Sequence, residues 1–237
     1  MTTILYLTDS RLDESFGKRV RHLLKIAAGD LPIVSVSQKP LDFGDNICVG
    51  DIGKSETSLY HQMFVGLQAV KTKNVAIAEH DCVYSIEHFA FQPDDENFWY
   101  NTNCWLAQLK NPKFPEMDGM YSFIEGRKVQ SQLVSGTDIL LEATVKRLKI
   151  SKDQNWPGRL GEPGTADPRK SEKLARKATK SLLADLRDYI NTTNAKTFAT
   201  SIPNIDIRHG DNFTGPRRGK SRTFALMPWG TLDSVLA

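Results

Sequence analysis

The sequence lacks any run of about 18 apolar residues, the length a helix needs to cross a bilayer, so no membrane span is expected. Its opening, MTTILYLTDSR, has no basic flank before a long apolar stretch and reads as a first strand, not a secretory signal. Cysteine is scarce. Cys48, Cys82 and Cys104 are an odd set, far apart and without CxxC spacing. That pattern argues against a disulfide framework or a zinc ribbon and fits a reducing cytoplasm. No internal repeat is present. Neither charge sign dominates, since 31 Lys and Arg stand against 28 Asp and Glu. With 40% hydrophobic and 25% charged residues, collagen, coiled coil and wholesale disorder are excluded. A chain of 237 residues can bury a core without covalent staples.

The charge is unevenly placed. Residues 146–187 hold 12 Lys and Arg against 5 Asp and Glu, and residues 208–222 hold 5 against 1. This basic second half points to an anionic partner, although a solvated helix face has the same composition. Along the chain, ILYLTD and LPIVSVSQ read as strands, and the apolar spacing over 16–28 and 58–71 reads as helices. KPLDFGDNICVGDIG reads as a loop, and NVAIAEHD as a third strand that ends abruptly in polar residues. The alternation predicts an α/β fold with a single mostly parallel sheet flanked by helices and a basic helical C-terminal part. Helices are also expected over 135–149 and 169–190, with a Pro- and Gly-rich loop over 155–168 between them. NIDIR reads as a late strand, and the Gly- and Arg-rich segment from Asp211 as a mobile tail. The expected division is one domain over 1–215, with halves 1–105 and 106–215, and a tail over 216–237.

In such sheets ligands bind at the carboxyl ends of the strands, so the TDS and EHD clusters should face one crevice. Glu79 and Asp81 lie two apart at a strand end, where side chains share a face, and together suit a divalent cation. Solvated acids at a polar strand end are an equal alternative. His209, in Arg208-His209-Gly210, joins them only if its strand borders the crevice. An imidazole ligand would favour Mn²⁺ over Mg²⁺. In FWYNTNCW, Asn101 and Asn103 sit among four aromatics, a composition suited to stacking and hydrogen bonding to a sugar or base, or to core filling. Lys173, Lys177, Arg217, Arg218 and Lys220 are candidates for binding the phosphates of a nucleic acid.

VAIAEHDCVYSIEHF, with its strand ending in Glu79-x-Asp81, resembles the nucleotide-sugar-binding segment of GT-A-fold glycosyltransferases. The preceding helix SLYHQMFVGLQAVKTK and the late histidine in PNIDIRHGDNFTG are similarly placed. The resemblance is to small phage and bacterial members, and it implies a Rossmann-like GT-A fold. It also implies a metal-dependent hexosyl- or pentosyltransferase using a nucleoside-diphosphate sugar, a UDP-sugar foremost. Asp81, His209 and Glu79 would hold Mn²⁺ or Mg²⁺. Thr8, Asp9 and Arg11 would meet the nucleoside, with Gln38, Lys39 and Asp42 in the same pocket and Glu79, His80, Asn101 and Asn103 about the donor. The family's acidic pair that serves the acceptor hydroxyl is not evident. Glu162 and Asp138 are the candidates for that base, with Glu142 a further one. The basic half favours a hydroxymethylated pyrimidine of phage-type DNA as acceptor over a glycan, placing the chain in the host cytoplasm if phage-encoded. A metal-dependent nuclease or phosphodiesterase and a non-catalytic nucleic-acid-binding protein are the rival readings.

Overall fold

The computed structural model describes residues 1–110, 115–151, 161–165, 194–210, 212 and 219–237. Its main sheet starts with β1 (Thr2–Thr8), buried along its whole length, which is why its centre, ILYL, is an unbroken apolar run. The strands β2 (Ile33–Ser37) and β4 (Asn74–Glu79) pair in parallel with β1 on either side. Strand β3 (Asp45–Cys48) extends the sheet beyond β2. Past β4 come an antiparallel strand, β9 (Leu133–Gly136), then β6 (Phe98–Asn101) and β10 (Ala195–Phe198). The edge strand β10 carries Lys196, whose ammonium pairs with Asp95 at 2.5 Å and lies 5.1 Å from the Trp99 ring. One antiparallel strand among seven leaves the sheet mostly parallel.

Among the described residues, four helices cover this sheet. Helix α1 (Glu14–Ala28) is capped by Asp13, whose carboxylate accepts from the amides of Ser15 and Phe16. Helix α2 (Glu56–Ala69) is capped by Ser55. The others are α3 (Ile86–Ala90) and α4 (Thr137–Ser151). The two-residue period of β1 assigns the faces. Leu5 and Leu7 pack with Tyr60, Met63 and Leu67 of α2 and Leu140 and Ile150 of α4. Ile4 and Tyr6 pack with Leu24 and Ala27 of α1 and Phe89 of α3. No helix among the described residues is long and apolar enough to cross a membrane.

A second sheet, not foreseen from the sequence, joins β5 (Cys82–Val83), β7 (Cys104–Gln108), β8 (Tyr121–Phe123), β11 (Asn204–Arg208) and β12 (Ser221–Thr223). Of its strands, two to five residues long, β11 is the NIDIR strand expected from the sequence, while the others gave no periodic signal. Likewise β3 lies within the segment expected as a loop. Residues 219–237, expected as part of a mobile tail, supply β12 and the helix α5 (Leu232–Leu236). Leu226, Leu232 and Val235 are buried against Ile205 and Ile207, and Trp229 Nε1 donates to the Pro203 carbonyl at 2.7 Å. Apolar side chains spaced among the glycines and arginines anchor this segment. The basic helix expected over 169–190, with Lys173 and Lys177, lies outside the described residues, as do Arg217 and Arg218.

The order β3-β2-β1-β4 fixes the functional end of the molecule. The chain runs outward from β1 to β3, then returns through α2 to the other side of β1, so the topological switch point lies between β1 and β4. Helix α2 crosses closely at Gly66, where a Cβ would stand 2.3 Å from Leu5 Cδ1 and 2.8 Å from Val36 Cγ2. Gly66→Ala should therefore lower stability by about 1–3 kcal/mol despite alanine's better helix propensity, because the added methyl overpacks the interface. Equilibrium denaturant unfolding measures this, and a neutral or stabilising outcome would contradict the close packing.

Candidate functional site

Strands β1 and β4 both end in polar residues beside a cleft of about 270 Å³. Thr8 and Asp9 enter it from β1, and Glu79, His80 and Asp81 from β4. Gln38 follows β2, and Gly53, Lys54 and Ser55 lead into α2. Arg127, Gln130, Glu162, Asp206, Arg208 and Asn212 close the other side. A second cavity of about 260 Å³ lies alongside, bordered by Tyr6, Arg21 and Lys39, and shares Thr8 and His80 with the first.

The chain leaves the main sheet at Glu79, turns through His80 and Asp81, and enters β5 at Cys82. The turn takes Asp81 off the strand, and Glu79, though it lines the same cleft, is not one of the clustered ligand-type residues. His80 instead joins Asp81 and His209. One ligand-type atom from each of these three lies within 4.8 Å of the others. His209 reaches the site because β11 pairs antiparallel with β5, and because Ile207 N donates to the Asp81 carbonyl at 2.8 Å. Nε2 of His209 is 3.6 Å from Asp81 Oδ2. Nδ1 of His80 lies 2.8 Å from Thr8 Oγ1 and 3.6 Å from Asp9 Oδ1, which leaves Nε2 as the ring nitrogen facing other partners. Two imidazoles and a carboxylate form a donor set suited to a divalent transition metal, Mn²⁺ among them.

Burial lowers the His80 pKa and keeps the ring neutral, the form that ligates a cation. Burial alone would raise Asp81, but His209, His80 and Arg208 outweigh it and hold the carboxyl well below the usual range. Glu79 behaves oppositely. Burial, then repulsion from Asp81, Asp206 and Glu162, push its carboxyl well above the ordinary value. At the back of the cleft Asp206 accepts from Arg127 Nη2 at 2.6 Å and Arg208 Nη2 at 3.0 Å, so one buried carboxylate holds two guanidinium groups.

The remaining expected residues divide. Thr8, Asp9, Gln38, Glu79, His80 and Glu162 line the cleft. Lys39 borders the second cavity, and exposed Asp42 borders neither. Arg11 reaches Gln38 Oε1 at 3.3 Å and Asp51 Oδ1 at 2.7 Å from the rim. Asn101 and Asn103 do not enter the cleft. Asn101 Nδ2 donates to Thr200 Oγ1 at 3.0 Å and Asn103 Nδ2 to the Thr200 carbonyl at 2.8 Å, so both amides brace the 199–203 segment. Asp138 is exposed on the first turn of α4. Gly136 pairs with Asn74, the first residue of β4, which puts Asp138 at the opposite end of the strands from the cleft. Exposed Lys220 sits beside β12, away from the cleft. Sequence reading missed Arg127, Asp206 and Asn212. Only Asn212 had a local signal, its position three residues after His209.

No family model and no curated protein sequence matches the chain. Solved structures similar to it include a glycosyltransferase involved in glycosylation of the major capsid of PBCV-1 (10% identity, 66% of this chain and 69% of that one, TM-score 0.39). Others are the bifunctional IspDF from Campylobacter jejuni (13%, 66% and 44%, 0.36) and the glycosyltransferase GlyE of Streptococcus pneumoniae TIGR4 (8%, 84% and 46%, 0.40). The chain spans less than half the length of the latter two. At such identities and TM-scores the likeness assigns neither family nor activity, and the chemistry rests on the cleft itself.

Glu79 gives a test of the site's electrostatics. A carboxyl whose folded pKa exceeds its unfolded value stabilises the fold fully below about pH 4 and loses that contribution as pH rises through the folded value. Glu79→Gln should therefore match the parent near pH 4 and melt at higher temperature at pH 7–8. Melting curves across pH check this, and a parallel pair of curves would refute the burial of an ionisable Glu79.

Proposed function

We propose that the chain is a divalent-metal-dependent glycosyltransferase that moves a sugar from a nucleoside-diphosphate donor, a UDP-sugar foremost, to an acceptor hydroxyl. The observation that carries this reading is the convergence of His80, Asp81 and His209 at the switch point, beside a polar cleft of about 270 Å³. The sequence resemblance around Glu79-x-Asp81 and His209 supports it as well.

In this reading His80, Asp81 and His209 hold the cation, Mn²⁺ before Mg²⁺. A bound cation supplies positive charge to the departing diphosphate. Asp9 and Gln38, at the ends of β1 and β2, orient the nucleoside by accepting and donating hydrogen bonds. The paired Arg127 and Arg208 add fixed positive charge at the far wall. Glu162 lines the cleft and takes the proton of the acceptor hydroxyl, a role Asp138 cannot reach from the opposite strand ends. For the acceptor we propose a hydroxymethylated pyrimidine in DNA. Its support is the basic surplus of the second half of the sequence.

Thermal melting with uridine, guanosine, cytidine, adenosine and thymidine diphosphates, each with and without Mn²⁺, tests the donor site. A rise for one diphosphate that needs Mn²⁺ and disappears in Asp81→Ala and His209→Ala is expected. A rise with Mn²⁺ or DNA alone, and none with any nucleotide, would instead point to a nuclease or a nucleic-acid-binding protein. Once a sugar is found, Glu162→Gln should lower turnover about 10²–10⁴-fold while Asp138→Asn leaves it unchanged, as steady-state assays on hydroxymethylated DNA and on glycan acceptors would read. Equal activity of Glu162→Gln and the parent would remove Glu162 from the mechanism.

A further inference from the structure

The Asp81 carboxylate is held on both oxygens. The Cys82 thiol lies 3.7 Å from Oδ1, and Asn212 Nδ2 donates to Oδ2 at 2.7 Å. That same Oδ2 faces His209 Nε2. Asn212 follows His209 by three residues and its backbone N–H donates to the His209 carbonyl at 3.3 Å, closing a turn that brings an imidazole and an amide to one carboxylate oxygen. An ionised carboxylate only accepts, so the amide must present its nitrogen, and its orientation is thereby fixed.

A carboxylate at the end of a short side chain turns about a broad terminal torsion. Left alone, Asp81 could meet a cation through either oxygen or both. A short hydrogen bond on Oδ2 sets the plane of the group and leaves further lone pairs for a cation. Hydrogen-bonded partners of this kind tune ligating carboxylates and histidines throughout metalloproteins. Thr8 stands in the corresponding place against His80 Nδ1.

We infer that Asn212 is a positioning residue of the cation site, acting through its hydrogen bond to Asp81 and contributing to cation affinity. The inference rests on the proposed cation role of His80, Asp81 and His209.

The test is calorimetric titration with Mn²⁺ alone, without nucleotide, on the full chain and on Asp81→Ala, Asn212→Ala and Asn212→Leu. Leucine is close to isosteric with asparagine and lacks both the donor and the acceptor of the amide, so one of the two Asn212 variants reports even if the other folds poorly. The parent should bind one Mn²⁺, Asp81→Ala should lose it, and both Asn212 variants should bind about 10–100-fold more weakly. The visible spectrum of the Co²⁺-loaded protein should also change in band position or intensity in the Asn212 variants, because a reoriented carboxylate alters the ligand field. A loss of affinity with an unchanged Co²⁺ spectrum would assign Asn212 to loop folding and overturn the inference. So would parent-like Mn²⁺ affinity in the variants while Asp81→Ala has lost it. No Mn²⁺ binding by the parent, or undiminished binding by Asp81→Ala, would instead overturn the cation reading on which the inference stands.

Discussion

The architecture turns on the two residues His80 and Asp81. They carry the chain out of the seven-stranded sheet and into the five-stranded one, and the Asp81 carbonyl is tied to Ile207 in β11. Backbone groups buried at such a junction must be paired, and this hydrogen bond both satisfies the carbonyl and docks the second sheet. The same bond brings His209, two residues beyond Ile207, to the Asp81 side chain. Fold closure and site assembly are therefore one event. A residue pair that looks like a strand end in sequence is the hinge between two sheets in space.

Around that hinge the protein buries more charge than stability alone would favour. Asp206 holds two arginines, Asp81 sits among imidazoles, and burial and repulsion push the Glu79 carboxyl well above its ordinary range. Buried ion pairs seldom improve on well-packed apolar residues as a source of stability. Groups with opposed titration shifts, crowded at the switch point of a parallel sheet, are what a polar reaction centre requires. The apolar clusters on either side of β1 supply the stability that this concentration of charge draws down.

The β-α-β opening was legible because β1, β2 and β4 are buried on both faces and the helices between them carry a regular apolar stripe. The TDS and EHD ends were legible for a related reason, since an abrupt change from apolar to polar marks where a buried strand meets its ligand face. What sequence could not supply was distance. The i, i+2 reading of Glu79 and Asp81 assumed that the strand continued, whereas it turns at His80. Asn101 and Asn103 looked exposed to a ligand because nothing nearby in sequence could satisfy them, and their partner, Thr200, lies about a hundred residues away. Asp138 fell to strand direction, since β9 runs against its neighbours and delivers α4 to the wrong end. The second sheet escaped because its strands are short and their partners remote.

The placement of His209 has a consequence for how the protein comes into being. His80 and Asp81 lie about a third of the way along the chain, while His209 and Asn212 follow β11. A contact of such sequence separation forms only after a long loop has closed, at an entropic cost that local structure does not carry. A nascent chain can complete the four parallel strands about β1 and still lack half the site. The ligand set is thus completed only once the chain has passed residue 212, and a chain ending before β11 would lack both His209 and Asn212.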